Sequence, residues 1–388
     1  MNRSSMKHTL ALILAALLFV PATRAQPAAL LGPDLEPRPV TLRSLSRDKV
    51  AITDAQGNDQ SLSADEVLRL TFGESASPRI ADGNAVATLR DGQVVIGELV
   101  ASGDDEAIRL SLGAGGAVDL SLDELLSIRL AQDVSVPKVE EDDVLLLATG
   151  ETLVGFVETI DRASVGFVVG DADDAIPIPL ERVKAITLAN KPEPPEPAPG
   201  LVKASLIDGS TLLLANAKIE SQTLIGTSRL GESATKLSLP VGRVAQIEML
   251  SGKHRLSPLL DQPMELIAGG EVFGVAMPPE LRDDGLHLHA PTTLAFELPR
   301  GATRVTLTAA LNLGADVPEA RRSLAGCELV VYDGDEAVGG ATLSADRGAQ
   351  TITLPVTGRS LRVELKPGVN GPVLDRVRLF AAEVLVGE

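Results

Sequence analysis

The sequence predicts an all-β protein, a tandem row of small five-stranded barrels followed by an antiparallel β-sandwich. A closing phrase recurs four times with two apolar anchors five residues apart: Leu62/Val67, Leu120/Leu125, Ile178/Val183 and Leu239/Val244. The second anchors follow one another at 58, 58 and 61 residues, and each has an apolar residue three positions later, Leu70, Ile128, Ile186 and Ile247. A fixed period of this kind marks tandem copies of one module. From about Leu256 the period stops, and longer strands with two-residue alternation take its place.

In chain order, residues 1–25 read as a cleavable signal peptide: a basic start (Arg3, Lys7), an apolar run and the small-residue exit Thr23-Arg24-Ala25. The apolar run from Leu10 to Val20 is 11 residues long, where a spanning helix needs about 20, so no membrane span is expected after cleavage. The compartment predicted is periplasmic or secreted. Cys327 is the single cysteine, which excludes an internal disulfide and points to a thiol buried on a strand. The formal charge is -18, and removing Arg3, Lys7 and Arg24 with the leader leaves about -21. Such an acidic chain repels nucleic-acid phosphates and anionic membranes and leaves neutral glycans, cations and basic partners open.

Residues 26–72 form a degenerate first repeat, with later strands around Val40, Val50 and Val67 but no clear opening turn. Full repeats follow at 85–130, 143–188 and 201–250. They open on Thr88-Leu89-Arg90-Asp91-Gly92, Leu147-Ala148-Thr149-Gly150 and Leu206-Ile207-Asp208-Gly209, hairpin turns in which glycine supplies a positive φ. Gly97 and Gly155, five residues past the turn glycine, fit a bend in a strand curling around a barrel, and Leu214 stands there in the last copy. Alternating apolar residues then mark a third strand (Ile108, Leu110, Leu112; Val165, Phe167, Val169; Leu224, Ile225). Five strands in about 46 residues make a marginal core, so neighbouring copies are expected to pack on one another. The proline-rich run at 189–200 reads as an extended, semi-rigid spacer.

Strand order and turn placement resemble the small barrels of the Sm-like and SH3-like type. The Arg-Gly pair that contacts RNA in Sm-like proteins is replaced by Asp123-Glu124 and Glu181-Arg182, which argues against RNA as a ligand.

Strands beyond residue 251 are marked by Leu294/Phe296/Leu298, Val305/Leu307, Leu329/Val331, Ile352/Leu354/Val356, Leu361/Val363/Leu365 and Val377/Leu379, with Pro and Gly between them. They specify a two-sheet sandwich. The segment Gly285-Leu286-His287-Leu288-His289-Ala290-Pro291-Thr292-Thr293-Leu294-Ala295-Phe296-Glu297-Leu298 resembles the signature of the NPCBM family of carbohydrate-binding modules, a galactose-binding-like jelly roll. Glu328 to Gly334 is similar to that family's strand ending in Asp-Gly, and Asp375 to its late aspartate. The resemblance covers about residues 251 to 384 of a domain placed at 251–388, and implies binding of extracytoplasmic glycans, with His289, Tyr332, Asp333 and Asp375 as the carbohydrate-binding positions. Where the family usually carries an aromatic after the late aspartate, this chain has Arg376, and it has no tryptophan. Sugars are commonly held on exposed aromatic faces with directed polar groups beside them.

Other motifs are weaker. His287 and His289 stand on one face of a strand without the further ligands a zinc site needs. Asp104-Asp105-Glu106, Asp171-Ala172-Asp173-Asp174 and Asp283-Asp284 lack the spacing of a calcium loop. Asp283 and Asp284 are the best candidates if the domain holds the structural Ca²⁺ found in some galactose-binding-like folds, and no other cofactor is expected. Ser233-Ala234-Thr235-Lys236 and Gly113-Ala114-Gly115-Gly116 lie between strands rather than opening helices. No carboxylate pair can be placed as a glycosidase. The expectation is a non-catalytic protein whose jelly roll binds polysaccharide or glycoprotein while the barrels space it or engage partners. The alternative is an envelope scaffold that binds other proteins and no sugar.

Overall fold

The computed structural model describes residues 26–73, 84–100, 107–112, 116–132, 134, 136–137, 141–170, 172, 174–193, 195, 200–228, 230, 235–250, 252–282, 284–314 and 317–387. The predicted leader, Asp283, residues 104–106, 113–115 and 233–234, and Asp171 and Asp173 lie outside these. The chain is nearly all β, and its strand pairings are antiparallel.

Residues 26–249 form four units of five strands. Unit 1 comprises Gln26–Leu31, Pro37–Leu45, Lys49–Asp54, Asp59–Ser63 and Arg69–Thr71. Unit 2 comprises Asn84–Leu89, Val94–Val100, Ala107–Leu112, Gly116–Ser121 and Leu125–Arg129. Unit 3 comprises Asp143–Leu147, Thr152–Ile160, Ser164–Val169, Ile176–Pro179 and Val183–Thr187, and unit 4 comprises Val202–Leu206, Thr211–Glu220, Thr223–Ser228, Thr235–Pro240 and Val244–Met249. In every unit the order is fourth, third, second, first, fifth. Unit 1, expected to be degenerate, has its opening strand; a longer turn through Leu35 at φ 58 replaces the Asp-Gly turn.

The recurring phrase has a local cause. Between each pair of anchors lies one turn of 3-10 helix: Ala64–Glu66, Leu122–Glu124, Leu180–Arg182 and Val241–Arg243. The Ser63 and Ser121 hydroxyls accept from the Asp65 and Asp123 N–H at 3.4 Å each, and Glu66 returns a bond to the Ser63 N–H at 2.8 Å. The anchors on either side are buried or packed on the core.

The expected bend at Gly155 is real in its steric cause. A Cβ there would lie 2.0 Å from the Val168 carbonyl oxygen, and one at Gly97 would lie 2.6 Å from that of Ser111. Unit 4, with Leu214 at this position, moves the glycine across the strand pair: a Cβ on Gly226 would meet the Leu214 Cβ at 2.8 Å. Gly155→Ala is therefore expected to lower stability by about 2 kcal/mol, because a backbone carbonyl cannot step aside as a side chain can; a thermal melt of the variant checks this.

The third repeated apolar position joins the units. Leu70 of unit 1 lies opposite Ile247 of unit 4, and Ile128 of unit 2 opposite Ile186 of unit 3. Both junctions pair last strands, equivalent residue against equivalent residue, so each has a local two-fold axis. Reciprocal backbone bonds flank them: Phe72 N–H to Ala245 O at 2.8 Å and Met249 N–H to Leu68 O at 2.9 Å, then Leu130 N–H to Lys184 O at 2.8 Å and Leu188 N–H to Leu126 O at 2.9 Å. Units 2 and 4 meet through a third axis, with Val94 opposite Thr211. The Gln93 side chain accepts from the Leu213 N–H at 2.7 Å, and the Ser210 hydroxyl from the Ile96 N–H at 3.2 Å. The spatial order is thus 1-4-2-3. The proline-rich segment does not hold units 3 and 4 apart as a free spacer. Its described part lies on unit 2, where the Glu193 N–H donates to Arg90 O at 2.8 Å and the Arg90 and Glu193 side chains pair at 2.8 Å.

The C-terminal body has two antiparallel sheets around one core. One contains Glu280–Arg282, Gly285–His289, Arg376–Gly387, Ala302–Leu311 and Gln350–Pro355, with His254–Pro258 beside the last strand of the chain. The other contains Met264–Gly269, Thr292–Glu297, Ser360–Pro367, Gly326–Asp333 and Glu336–Ser344. The alternating residues read from the sequence, among them Phe296, Val305, Leu329, Val363 and Val377, fill that core. The array and this body touch: Leu35, Leu68 and Leu385 form a small shared cluster. Beside it the Arg69 guanidinium forms a two-pronged ion pair with Glu383 and lies 3.9 Å from Glu248. No helix among the described residues is long and apolar enough to cross a membrane.

Candidate functional site

The side chains that converge most are at one end of the first sheet. Gly285–His289 runs antiparallel to the last strand, setting His287 opposite Arg378 and His289 opposite Arg376. Asn312, just past Ala302–Leu311, is pinned there because its N–H donates to the Arg376 carbonyl at 2.8 Å. The Asn312 amide lies 2.9 Å from His287 Nδ1, and His287 Nε2 lies 2.7 Å from Asp284 Oδ1. The other Asp284 oxygen accepts from Arg378 at 2.9 Å. His287 first and Arg378 second hold the Asp284 carboxyl down at about 2. The imidazole is thus fixed on both edges.

Two open cavities meet over this network. One, of about 420 Å³, is lined by Pro278, Glu280, Arg282, His287, His289 and Arg376. The other, of about 300 Å³, is lined by Gly314, Val317, Arg321 and Leu374, and the two share Asn312 and Arg376. Arg282 is bound to Glu280 at 2.5 Å. Arg376 and Arg321 both line the second cavity, and among the described residues neither side chain has a hydrogen-bond or ion-pair partner. The first cavity is continued by the hairpin Glu271–Val272/Val275–Ala276, at whose tip Phe273 is 77% exposed.

The predicted site residues do not gather here. His289 lines the first cavity but is buried, with Nδ1 2.9 Å from the Ala290 carbonyl. Asp375 is fully buried: one oxygen accepts from the Gly326 N–H at 3.1 Å and the other from the Gly368 N–H at 2.9 Å. It ties the second sheet to the first and offers no oxygen to a ligand. Tyr332 and Asp333 lie in the second sheet. The Tyr332 hydroxyl donates to Glu364 at 2.7 Å beneath Arg362, whose guanidinium is 4.2 Å from the ring centre. Asp333 accepts from the Thr357 and Gly358 N–H groups at 2.8 and 3.0 Å and holds that turn. Of the calcium candidates, Asp283 lies outside the described residues and both Asp284 oxygens are engaged. No group of three or more metal-ligating side chains is gathered among the described residues. Cys327 is buried, and burial, with Asp375 nearby, pushes its thiol up to about 12.

The residues that sequence reasoning missed are Asn312, Arg321 and Phe273, together with Arg376, which stands out only as a departure from an aromatic. Phe273 carried a signal in its setting, Gly269-Gly270-Glu271-Val272-Phe273-Gly274: a ring among glycines at a hairpin tip has nothing to bury it.

The site belongs to a two-sheet antiparallel β domain. No family model and no curated protein matches the chain. Among solved structures, the chain is similar to the CBM51-2 and INT domains of Clostridium perfringens ZmpB, at 10% identity over 48% of this chain and 43% of that one, with a TM-score of 0.27. The same CBM51-2 module in complex with GlcNAc gives 9% identity, 49% and 39% coverage, and a TM-score of 0.24. The tandem CBM51 modules of Sp3GH98, the family 98 glycoside hydrolase from Streptococcus pneumoniae SP3-BS71, give 10% identity, 93% and 88% coverage, and a TM-score of 0.25. The chain spans less than half the length of the first two. Scores of this size establish neither a shared ligand nor common descent.

Proposed function

We propose that this is a secreted or periplasmic protein that does no chemistry, and that its C-terminal domain, a jelly roll, binds a polysaccharide or the glycan of a glycoprotein. The four units are small barrels that present this domain and bring partners to it. The observation that carries the reading is an exposed ring, Phe273, on a hairpin that leads into a groove lined by Arg376 and Arg321, which have no partner among the described residues. A ring face suits the apolar CH face of a sugar, and planar donors suit its oxygens. In a chain of net charge -18, two arginines in one cavity, unpaired among the described residues, favour a sugar bearing a carboxylate.

The test is retention of the full mature chain, with and without calcium, on neutral and carboxylated polysaccharides. Retention on the carboxylated set is expected to weaken about 10-fold or more in Arg376→Ala, the range for losing a charge-assisted bond. Phe273→Ala is expected to weaken it similarly, with neither variant shifting the melting temperature. Retention on no polysaccharide would move the weight to the protein-binding scaffold, which the exposed apolar face of unit 3 (Val154, Phe156, Val169, Ile176) favours.

A further inference from the structure

We infer that the free face of unit 3 is a homodimer interface, on which unit 3 of a second copy docks across a two-fold axis in the way unit 2 docks on unit 4 within one chain. The reasoning rests on equivalent positions and does not depend on the glycan reading. Counted from the turn glycines Gly92, Gly150 and Gly209, the residues at the axis between units 2 and 4 are Val94 and Thr211, and their counterpart in unit 3 is Thr152. Four residues past the glycine, Ile96 and Leu213 are buried in that junction at 7% and 5% exposure, whereas Val154 is 52% exposed. The strand register is the same, with Val86 opposite Ile96 and Val144 opposite Val154. The Val154 N–H therefore points off the sheet edge, as the Ile96 N–H does toward the Ser210 hydroxyl. One residue past the glycine, where Gln93 and Ser210 supply the reciprocal acceptors, unit 3 has Glu151, also an acceptor. Around this edge Phe156, Val169 and Ile176 are 60%, 41% and 55% exposed. Unit 3 is thus an unused copy of a docking surface that the chain uses once internally.

The opposite end of the row shows that exposure of this edge is not incidental. In unit 1 the positions equivalent to Thr152 and Val154 are Pro37 and Pro39, aligned by their partners Leu31 and Ala29. Proline has no N–H to donate and blunts a sheet edge against pairing. One end is closed to strand contact and the other is open and apolar. A second copy on the open end gives the closed order 1-4-2-3-3-2-4-1, a two-fold assembly that cannot grow into a fibre.

The experiment is sedimentation or light scattering of the full mature chain over a concentration series. A mass of two chains is expected, falling to one chain in Val154→Arg and in Phe156→Glu, both surface changes, with circular dichroism and melting temperature retained. Glu151→Gln, which restores the residue of unit 2, is expected to keep the dimer. Thr152→Cys is expected to give a disulfide-linked dimer on mild oxidation, since Cys327 is buried, while Pro37→Cys is expected to give none. A chain that stays monomeric to its solubility limit overturns the inference, as does a dimer that survives both Val154→Arg and Phe156→Glu or fails to cross-link through Thr152→Cys. Capture of a different protein by a monomeric chain counts against it equally.

Discussion

Arg69→Ala is expected to loosen the whole molecule, because Arg69 compensates two acidic side chains where the repeat array meets the C-terminal body. Its guanidinium is paired with Glu383 and close to Glu248, and the three side chains are 17%, 21% and 14% exposed. Removing this guanidinium leaves two largely buried carboxylates with only Lys203, opposite Glu248 on the neighbouring strand, to offset them. Loss of one partner of a buried pair costs about 3–5 kcal/mol, and partial exposure puts the expectation near 3 kcal/mol. The deficit should depend on pH. Burial already raises the Glu248 carboxyl above the ordinary glutamate value against the pull of Arg69 and Lys203, and without Arg69 it rises further. A carboxyl whose folded value is raised costs stability above that value, and the cost fades as pH falls through it. The gap in melting temperature between Arg69→Ala and the parent should therefore be widest at neutral pH and above, and narrow as pH falls towards the ordinary glutamate range. A gap constant across that range would show that the ion cluster does not couple to folding.

Asp375→Ala should produce a second large loss, and its character separates a structural aspartate from a sugar ligand. Two half-buried backbone N–H groups, on Gly326 and Gly368, lose the buried carboxylate that accepts from them. A hydrogen bond to a charged group contributes about 1.5–3 kcal/mol, and with both donors only half-buried the pair should cost about 3 kcal/mol. For a domain of this size that corresponds to a fall of roughly 10 °C in melting temperature. Whatever fraction stays folded should keep the parent's affinity in the polysaccharide retention test. Weakened binding at unchanged stability would return Asp375 to the site.

What was legible in the sequence followed from local periodicity. The anchors of the closing phrase are five apart because one turn of 3-10 helix fits between two strand ends, and the same five-residue rule applies in all four units. The strands of the C-terminal core were readable where one face is buried. Met264–Gly269 and Glu336–Ser344 were not: the first is exposed along its length, and the second carries Gly339-Gly340 in mid-strand. The order 1-4-2-3 was out of reach, because Leu70, Ile128, Ile186 and Ile247 are equivalent in the repeat and the period does not say which of them pair. The site was least legible of all. His289, Tyr332, Asp333 and Asp375 were reached by resemblance, and each is spent on holding loops or strands. Arg376 and Asn312 matter through where they come together, which a chain with many charged residues does not announce.

The order of the units has a consequence for how the protein is made. Units 2 and 3 are neighbours along the chain and can join as soon as Val183–Thr187 has been synthesised. Unit 1 is completed first but joined last, since its closing strand Arg69–Thr71 finds its partner only in Val244–Met249. Throughout that interval the earliest-formed unit carries an open strand edge, the kind of surface that captures a wrong neighbour when chains are crowded. Its closing strand is only three residues long, which offers little edge to a stray strand. The nascent protein is most vulnerable between the emergence of its first unit and its fourth, and a chaperone acting on it would be needed over that stretch of the chain.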